Sequence, residues 1–574
     1  MKSVKYILTV LAVLLFNSCE KFIDLQPLDK ISTNNYWKTS NDLKNYMLQF
    51  YPDAFPNTQM IAEKAVDSED MVSGNRGSGG ISLIMNGERV KRTGNWKWEW
   101  ASIRNINIFF SNYQKCTDGI DSYKQYLGEA HFFKAWYYFG LLKMYGDVPW
   151  YTKEIDLTSE TELMRPRDSR TLVADSILAN LDKAVYYLND RTIEKNTRIN
   201  KEAALAFKTR VALYEGTWQK YHAGTPFGTT GASPNKYFQQ CVAAAQELMS
   251  GSYTAGIYNT GNPDKDYYQL FGFDNMTDIN EVLLYRAFNA ADGLGNMAQN
   301  YLTGEVDGKG ATWELVSSYL GKNGQPYDYS GLSATTKGGA FLTKIATDCD
   351  PRLSATVFIP GDLISAALGK YFTKPPIDQG GNYICPTGFQ VKKTTNPNVV
   401  NSGLSYGVQG NTGLIILRYG EVLLNYAEAK YELDNTVAYT QLNLLRSRAG
   451  MPDFTVNPQN SDLNPVNYGY SVSDALYEIR RERRVELALE GLRVDDYMRW
   501  AAASLFKGKR SKGYPFSAAE FPGFTPLLDA NGLIDYYANQ LPNGYGFRVG
   551  QDYLYSIPQD ELTLNPKLVQ NPGW

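Results

Sequence analysis

Two histidines, His131 and His222, are all that 574 residues contain. A histidine-rich metal site is thereby excluded, and a Ser-His-Asp triad would have to use one of these two. Cysteine is nearly as sparse. Cys19, Cys116, Cys241, Cys349 and Cys385 show no CxxC spacing, so neither a zinc nor a dithiol redox motif is supported. An excess of one charge is lacking too: 57 Lys+Arg stand against 60 Asp+Glu, and a net −3 gives no reason to expect nucleic acid as a partner. After the first residues, no apolar run reaches the length of about 18 that a membrane-spanning helix needs. What abounds is aromatic: 42 tyrosines and 10 tryptophans. Rigid rings of this kind serve binding surfaces as well as cores.

The stretch from Leu127 to Trp150, LGEAHFFKAWYYFGLLKMYGDVPW, is the centre of the pattern. Its apolar positions wrap around the whole helix instead of marking one stripe, as in a helix buried on all sides. Gly146, Asp147 and Pro149 stop it. His131 lies inside it and reads as a satisfied core histidine. Before this helix, Asn41 is a candidate N-cap for a helix to Tyr51. After it, the periodicity pairs 122–145 with 169–189 and 200–220 with 235–250, with Gly216 as an imperfection costing about 1 kcal/mol. Antiparallel pairs of this kind are what tetratricopeptide-type arrays look like.

The chain divides as follows. Residues 1–18 are a signal peptide, with Lys2 and Lys5 ahead of an apolar core at Tyr6–Phe16. This resembles a bacterial lipoprotein signal, in which Cys19 is lipidated, so the mature chain is anchored and not threaded. A polar leader occupies 19–40 and a helical region 41–250. Residues 251–412 are rich in Gly, Asn, Asp, Pro and Tyr, with short apolar runs such as EVLLYRAF at 281–288, and read as a loop-rich insert of mixed α/β character. Long irregular segments of this kind are often functional. Helical signal returns at 414–433, 437–449 and 473–500 within a C-terminal region, 413–574, that ends in an irregular tail.

The run EIRRERRVELALEGLRVDDYMRW (478–500) sets six acids against six arginines, with Glu478, Glu482, Glu486 and Glu490 recurring every four residues. It reads as an ion-pair network that fixes helix packing, not as a nucleic-acid patch.

Four stretches in order along the chain resemble the SusD/RagB family. They are CEKFIDLQP after the signal, EAHFFKAWYYFGLLKMYGDVPW (129–150), LRYGEVLLNYAEAKYEL with LNLLRSRAGMP (417–433, 442–452), and IRRERRVELALEGLRVDDYMRW closed by YLYSIPQDELTLNPKLVQNPGW (479–500, 553–574). The resemblance implies a mainly α scaffold of about four tetratricopeptide-like units, with the ligand site in the loop-rich part. It further implies a SusC-like TonB-dependent β-barrel transporter as partner, a glycan ligand, attachment to the outer membrane, and binding without catalysis or cofactor.

The residues themselves suggest where a sugar would lie. Sugar C–H faces stack on flat rings, and hydroxyls pair with a few placed polar groups. Trp96, Trp98, Tyr301, Trp313 and Tyr327 stand in or beside the irregular segments as a candidate platform, with Asp70, Arg76, Asn95 and Gln325 as polar partners. Two other classes stay open. One is a glycoside hydrolase using a carboxylate pair about 5–10 Å apart, drawn from Asp264, Asp266, Asp274, Asp278, Asp307 and Asp328. The other is a helical-repeat lipoprotein that holds a peptide or protein.

Overall fold

A computed structural model describes residues 36–75, 80–94, 97–156, 158–297, 308–380, 383–399 and 410–574. The lipidation candidate Cys19, and Arg76, Asn95, Trp96 and Tyr301, lie outside the described residues. Among the described residues the fold is mainly α, with short two-stranded sheets and no closed barrel.

The N-terminal helices are α1 (Ser40–Leu48), α2 (Thr58–Val66), α3 (Ala101–Asn112) and α4 (Ile120–Tyr145). The N-cap of α1 is Thr39, not Asn41. Its hydroxyl accepts from the Asp42 amide while the Asp42 carboxylate accepts from the Thr39 amide, which makes a reciprocal capping box. Helix α4 ends where Gly146 takes φ +71, a conformation that glycine reaches without strain. Next come α5 (Arg170–Tyr187), α6 (Lys201–Tyr221) and α7 (Pro234–Met249), of which Ser169 and Asn200 cap the first two. Helix α4 packs on α5 and α6 on α7, the pairing that the periodicity predicts. Gly216 is no imperfection. A Cβ there would lie 2.6 Å from the ring of Phe238, so the missing side chain lets α6 and α7 close together.

The C-terminal region holds α8 (Tyr419–Asp434), α9 (Tyr439–Arg448), α10 (Asp474–Glu486) and α11 (Arg493–Arg499). Helical signal at 414–433 overreaches: Leu414–Arg418 is a strand paired antiparallel with Val282–Arg286. Its run of Leu and Ile suits a buried strand as well as a helix, and the partner strand decides. Likewise 473–500 is two helices, because Leu489 and Gly491 both take positive φ between them.

Helix α10 is almost entirely buried although most of its side chains are charged. Glu482 accepts from Arg352 at 2.6 Å and from Arg446 at 2.9 Å. Glu486 accepts from Arg448 at 2.5 Å and from Arg418 at 2.8 Å. Across on α8, Glu428 takes Arg499 at 2.6 and 2.8 Å. Burial alone would raise the Glu428 carboxyl, but Arg499 with Arg480 and Arg483 holds it down at about 2. Buried charges are tolerated only when paired in this way, and the pairs tie the insert to the C-terminal helices.

Candidate functional site

Strand β1 (Met71–Ser73) pairs antiparallel with β2 (Lys309–Ala311), and Ala311 in turn bridges to Phe389. Three distant parts of the chain thereby meet. Asp70, just before β1, is 2 % exposed, and its carboxylate accepts two N–H groups of Arg484 on α10. Immediately after β1, the Gly74 amide donates to the Gly308 carbonyl at 2.6 Å. The Tyr536 hydroxyl donates to the Gly74 carbonyl at 2.5 Å, and Tyr537 to that of Ser73 at 2.7 Å. The backbone at 73–74 is fastened from both sides.

Beside it opens a cleft of about 700 Å³, within the size range of ligand sites. Gly74 and Asn75 form one wall, Ile377, Gln379 and Ile384 a second, and Phe524, Pro526, Leu527, Tyr536 and Asn539 a third. The amides of Asn75, Gln379 and Asn539 are exposed, and each offers both donors and an acceptor. Phe524 is half-buried and meets Phe516 edge-on, with ring centroids 6.4 Å apart. Tyr383, next to Ile384 in the chain, is 60 % exposed. None of the described residues that line the cleft is acidic.

A smaller cleft of about 300 Å³ borders the same segment, lined by Ser73, Gly80, Ser82, Arg89, Arg92, Lys309 and Tyr555 among others. The Arg89 guanidinium stacks 4.2 Å over the Tyr555 ring. Burial lifts the Asp67 carboxyl above its ordinary range, although Ser82 donates to it at 2.6 Å.

None of the five described platform and polar candidates lines either cleft. Trp98 is 4 % exposed and sits edge-on between Trp100 and Tyr145. Trp313 stacks on Phe341, and the Tyr327 hydroxyl donates to Asp348 at 2.8 Å. Gln325 is exposed in a turn where its carbonyl accepts the Gly321 amide. Asp70 anchors the wall without facing the cleft. Arg76 follows directly on Asn75 in the chain.

Of the candidate carboxylates, three have structural partners, Asp264 and Asp278 are exposed, and Asp307 lies outside the described residues. Asp266 accepts from Thr260, Asp274 from Asn396 and Thr412, and Asp328 caps a short helix. Among the described residues no group of three His, Cys, Asp or Glu is arranged to hold a metal ion. Reading the insert alone missed Phe524, Tyr536 and Asn539. The tail from 514 to 547 carries the same signal, aromatics among Gly, Pro and Asn in a long irregular segment.

Paired helices that carry a cleft assembled from three loop segments define a mainly helical scaffold with a candidate ligand site. Comparison with known proteins narrows this. A model described as the SusD family matches residues 280–574, and one described as starch-binding associating with outer membrane matches residues 21–213. The chain belongs to the SusD/RagB family. It is 26 % identical over 504 residues to SusD-like protein P38 of Formosa agariphila, covering 86 % of this chain and 90 % of that one. To SusD-like protein P2 of the same organism it is 21 % identical over 590 residues, covering 99 % and 100 %. Among solved structures, a SusD-like protein of Bacteroides fragilis superposes with a TM-score of 0.72 at 22 % identity, covering 96 % and 100 %. A laminarin-binding SusD-like protein superposes at 0.59 with 20 % identity, covering 94 % and 100 %. Carbohydrate is named in two of these descriptions, starch in the family model and laminarin in the solved structure.

Proposed function

We propose that the protein captures an oligosaccharide in the cleft between residues 74–75, 377–386 and 524–539. In this reading it holds the sugar uncleaved and passes it to a SusC-like TonB-dependent β-barrel transporter. Lipidated at Cys19, it stands on the outer membrane with its cleft turned toward incoming glycan. The observation that carries the reading is the cleft lining: three exposed amide residues together with the half-buried Phe524 ring, and no carboxylate among the described lining residues. Amides satisfy hydroxyls and a ring face takes C–H groups, while a hydrolase would need two carboxylates across the bond. The family's starch-binding description and the laminarin-binding relative of the same fold support a glycan cargo. Arg76, Asn95, Trp96 and Tyr301 are kept as proposed ligand contacts on their residue types alone.

The test is calorimetric titration of the chain from residue 20 against a panel of neutral and acidic oligosaccharides, with product analysis on the same samples. Saturable binding of intact sugar, weakened by Phe524→Ala, is the expected result. Released shorter sugars would replace this reading with a hydrolase, and binding only of peptides would replace the cargo.

A further inference from the structure

Helix α4 contains two interior glycines whose surroundings differ. A Cβ at Gly128 would lie 2.7 Å from Leu188, so close packing with the chain after α5 requires glycine there. A Cβ at Gly140 would meet nothing within 4 Å. Glycine inside a helix costs about 1 kcal/mol relative to alanine, and at position 140 no neighbour accounts for it. Gly140 instead lines a cleft of about 250 Å³ between α4, α2 and the turn ahead of α11. This cleft shares no lining residue with either of the two that border 73–80.

Its apolar side combines aliphatic residues, Met60, Ile61 and Ile415 among them, with three aromatic rings. Trp136, Phe139 and Phe207 line it, and the indole N–H of Trp136 donates to the Ala54 carbonyl at 2.7 Å, which fixes that ring. Its charged side is unevenly matched. Lys143 and Lys64 both pair with Asp495, at 2.8 and 3.2 Å, so two ammonium groups share one carboxylate. Arg210, also on the lining, donates twice to Glu421 at 2.6 Å and once to the Ile416 carbonyl at 3.1 Å. Glu490 is already paired with Arg418 at 2.8 Å and with Lys393 at 2.7 Å, neither of which lines the cleft. One positive charge is therefore left over at Lys64 and Lys143, each ammonium having three donors. An apolar wall with aromatic rings, open space at position 140 and a surplus cation match a flat ring with one anionic group.

We propose that this cleft is a second carbohydrate site that takes a sugar unit bearing a carboxylate, its ring against Trp136 in the space left by Gly140 and its carboxylate at Lys143 and Lys64. The proposal rests on the glycan-binding reading and adds a uronic-acid subsite remote from the main cleft. A Cβ at 140 meets nothing within 4 Å, so Gly140→Leu is the variant chosen to fill that space, with thermal melting as the check that the fold is kept.

The experiment titrates the chain from residue 20 with trigalacturonic acid and with the neutral galactose trisaccharide of the same linkage. Wild type, Gly140→Leu, Lys143→Met and Phe524→Ala are compared, with thermal melting as a check of folding. The expected result is trigalacturonate binding that falls at least tenfold in Gly140→Leu and in Lys143→Met, survives Phe524→Ala, and exceeds that of the neutral sugar. Equal trigalacturonate affinity in wild type and Gly140→Leu, absence of binding to wild type, or loss in Phe524→Ala alone would overturn it. The main-cleft reading fails separately, if Phe524→Ala leaves every sugar of the wider panel bound as before.

Discussion

The carboxylate of Asp70 lies 2.5 Å from the guanidinium of Arg484, 414 positions away in the chain and inside the protein. The pair joins the wall of the main cleft to the central charged helix α10. Replacing Asp70 by alanine leaves Arg484 buried without its closest partner, a loss of about 3–5 kcal/mol. We expect Asp70→Ala to lower the denaturant midpoint strongly, and Asp70→Ala with Arg484→Met to recover part of the loss. Chemical denaturation of the two variants checks this. A change below about 1 kcal/mol in the single variant would show that Glu69 alone suffices for Arg484.

Much of this architecture is legible in the sequence because helix periodicity is a local signal. The pairs α4 with α5 and α6 with α7, the buried His131 and the ion-pair reading of 478–500 all follow from spacing alone. Two things do not. The strand at Leu414–Arg418 exists because Val282–Arg286 lies beside it, and no local pattern announces a partner more than a hundred residues away. The main cleft is likewise assembled from three loop segments, so its lining depends on which loops meet. Asp70, nominated as a ligand contact, shows the difficulty. Its acidic character and its place before an irregular segment are visible, while the arginine that occupies it is not.

His222 makes a pH prediction with a definite sign. Its ring is fully buried, stacked 3.9 Å from Trp218, with Nε2 at 2.8 Å from the Met498 carbonyl. Burial, the main cause, lowers its pKa from 6.5 to about 3. Below pH 6.5 the unfolded chain takes up a proton that the folded one refuses, so this group's contribution falls as pH falls toward 3. Relative to His222→Phe, which does not titrate, wild type should lose up to about 1.4 kcal/mol per pH unit in that window. Urea midpoints for both proteins between pH 7 and pH 4 measure it. A constant difference would mean that the imidazole protonates equally in both states.

The main cleft predicts a division of labour between its ring and its amides. Phe524→Ala removes a stacking face and should weaken glycan binding by about 1–2 kcal/mol, roughly tenfold or more. Asn75→Ala and Asn539→Ala each remove one hydrogen-bonding amide and should cost about 0.5–1.5 kcal/mol. Binding isotherms with the sugar selected from the panel would resolve these. The ring variant should act on all sugars alike, whereas each amide variant should discriminate among hydroxyl configurations.

The two glycines Gly216 and Gly140 should respond oppositely to the same substitution. At Gly216 a new Cβ would stand 2.6 Å from the Phe238 ring, and the clash is with a packed aromatic instead of a flexible chain end. Overpacking costs typically 1–3 kcal/mol, which outweighs the gain of about 1 kcal/mol in helix propensity. Gly216→Ala should therefore melt lower than wild type. At Gly140 the new methyl group meets nothing within 4 Å, so only the propensity term remains and Gly140→Ala should melt higher. Because that methyl group enters the aromatic-lined cleft, the stabilised variant should also bind trigalacturonate more weakly. Stability rising while affinity falls separates a glycine kept for a ligand from one kept for packing. If Gly140→Ala gained stability with no loss of binding, the gap at position 140 would have no part in recognition.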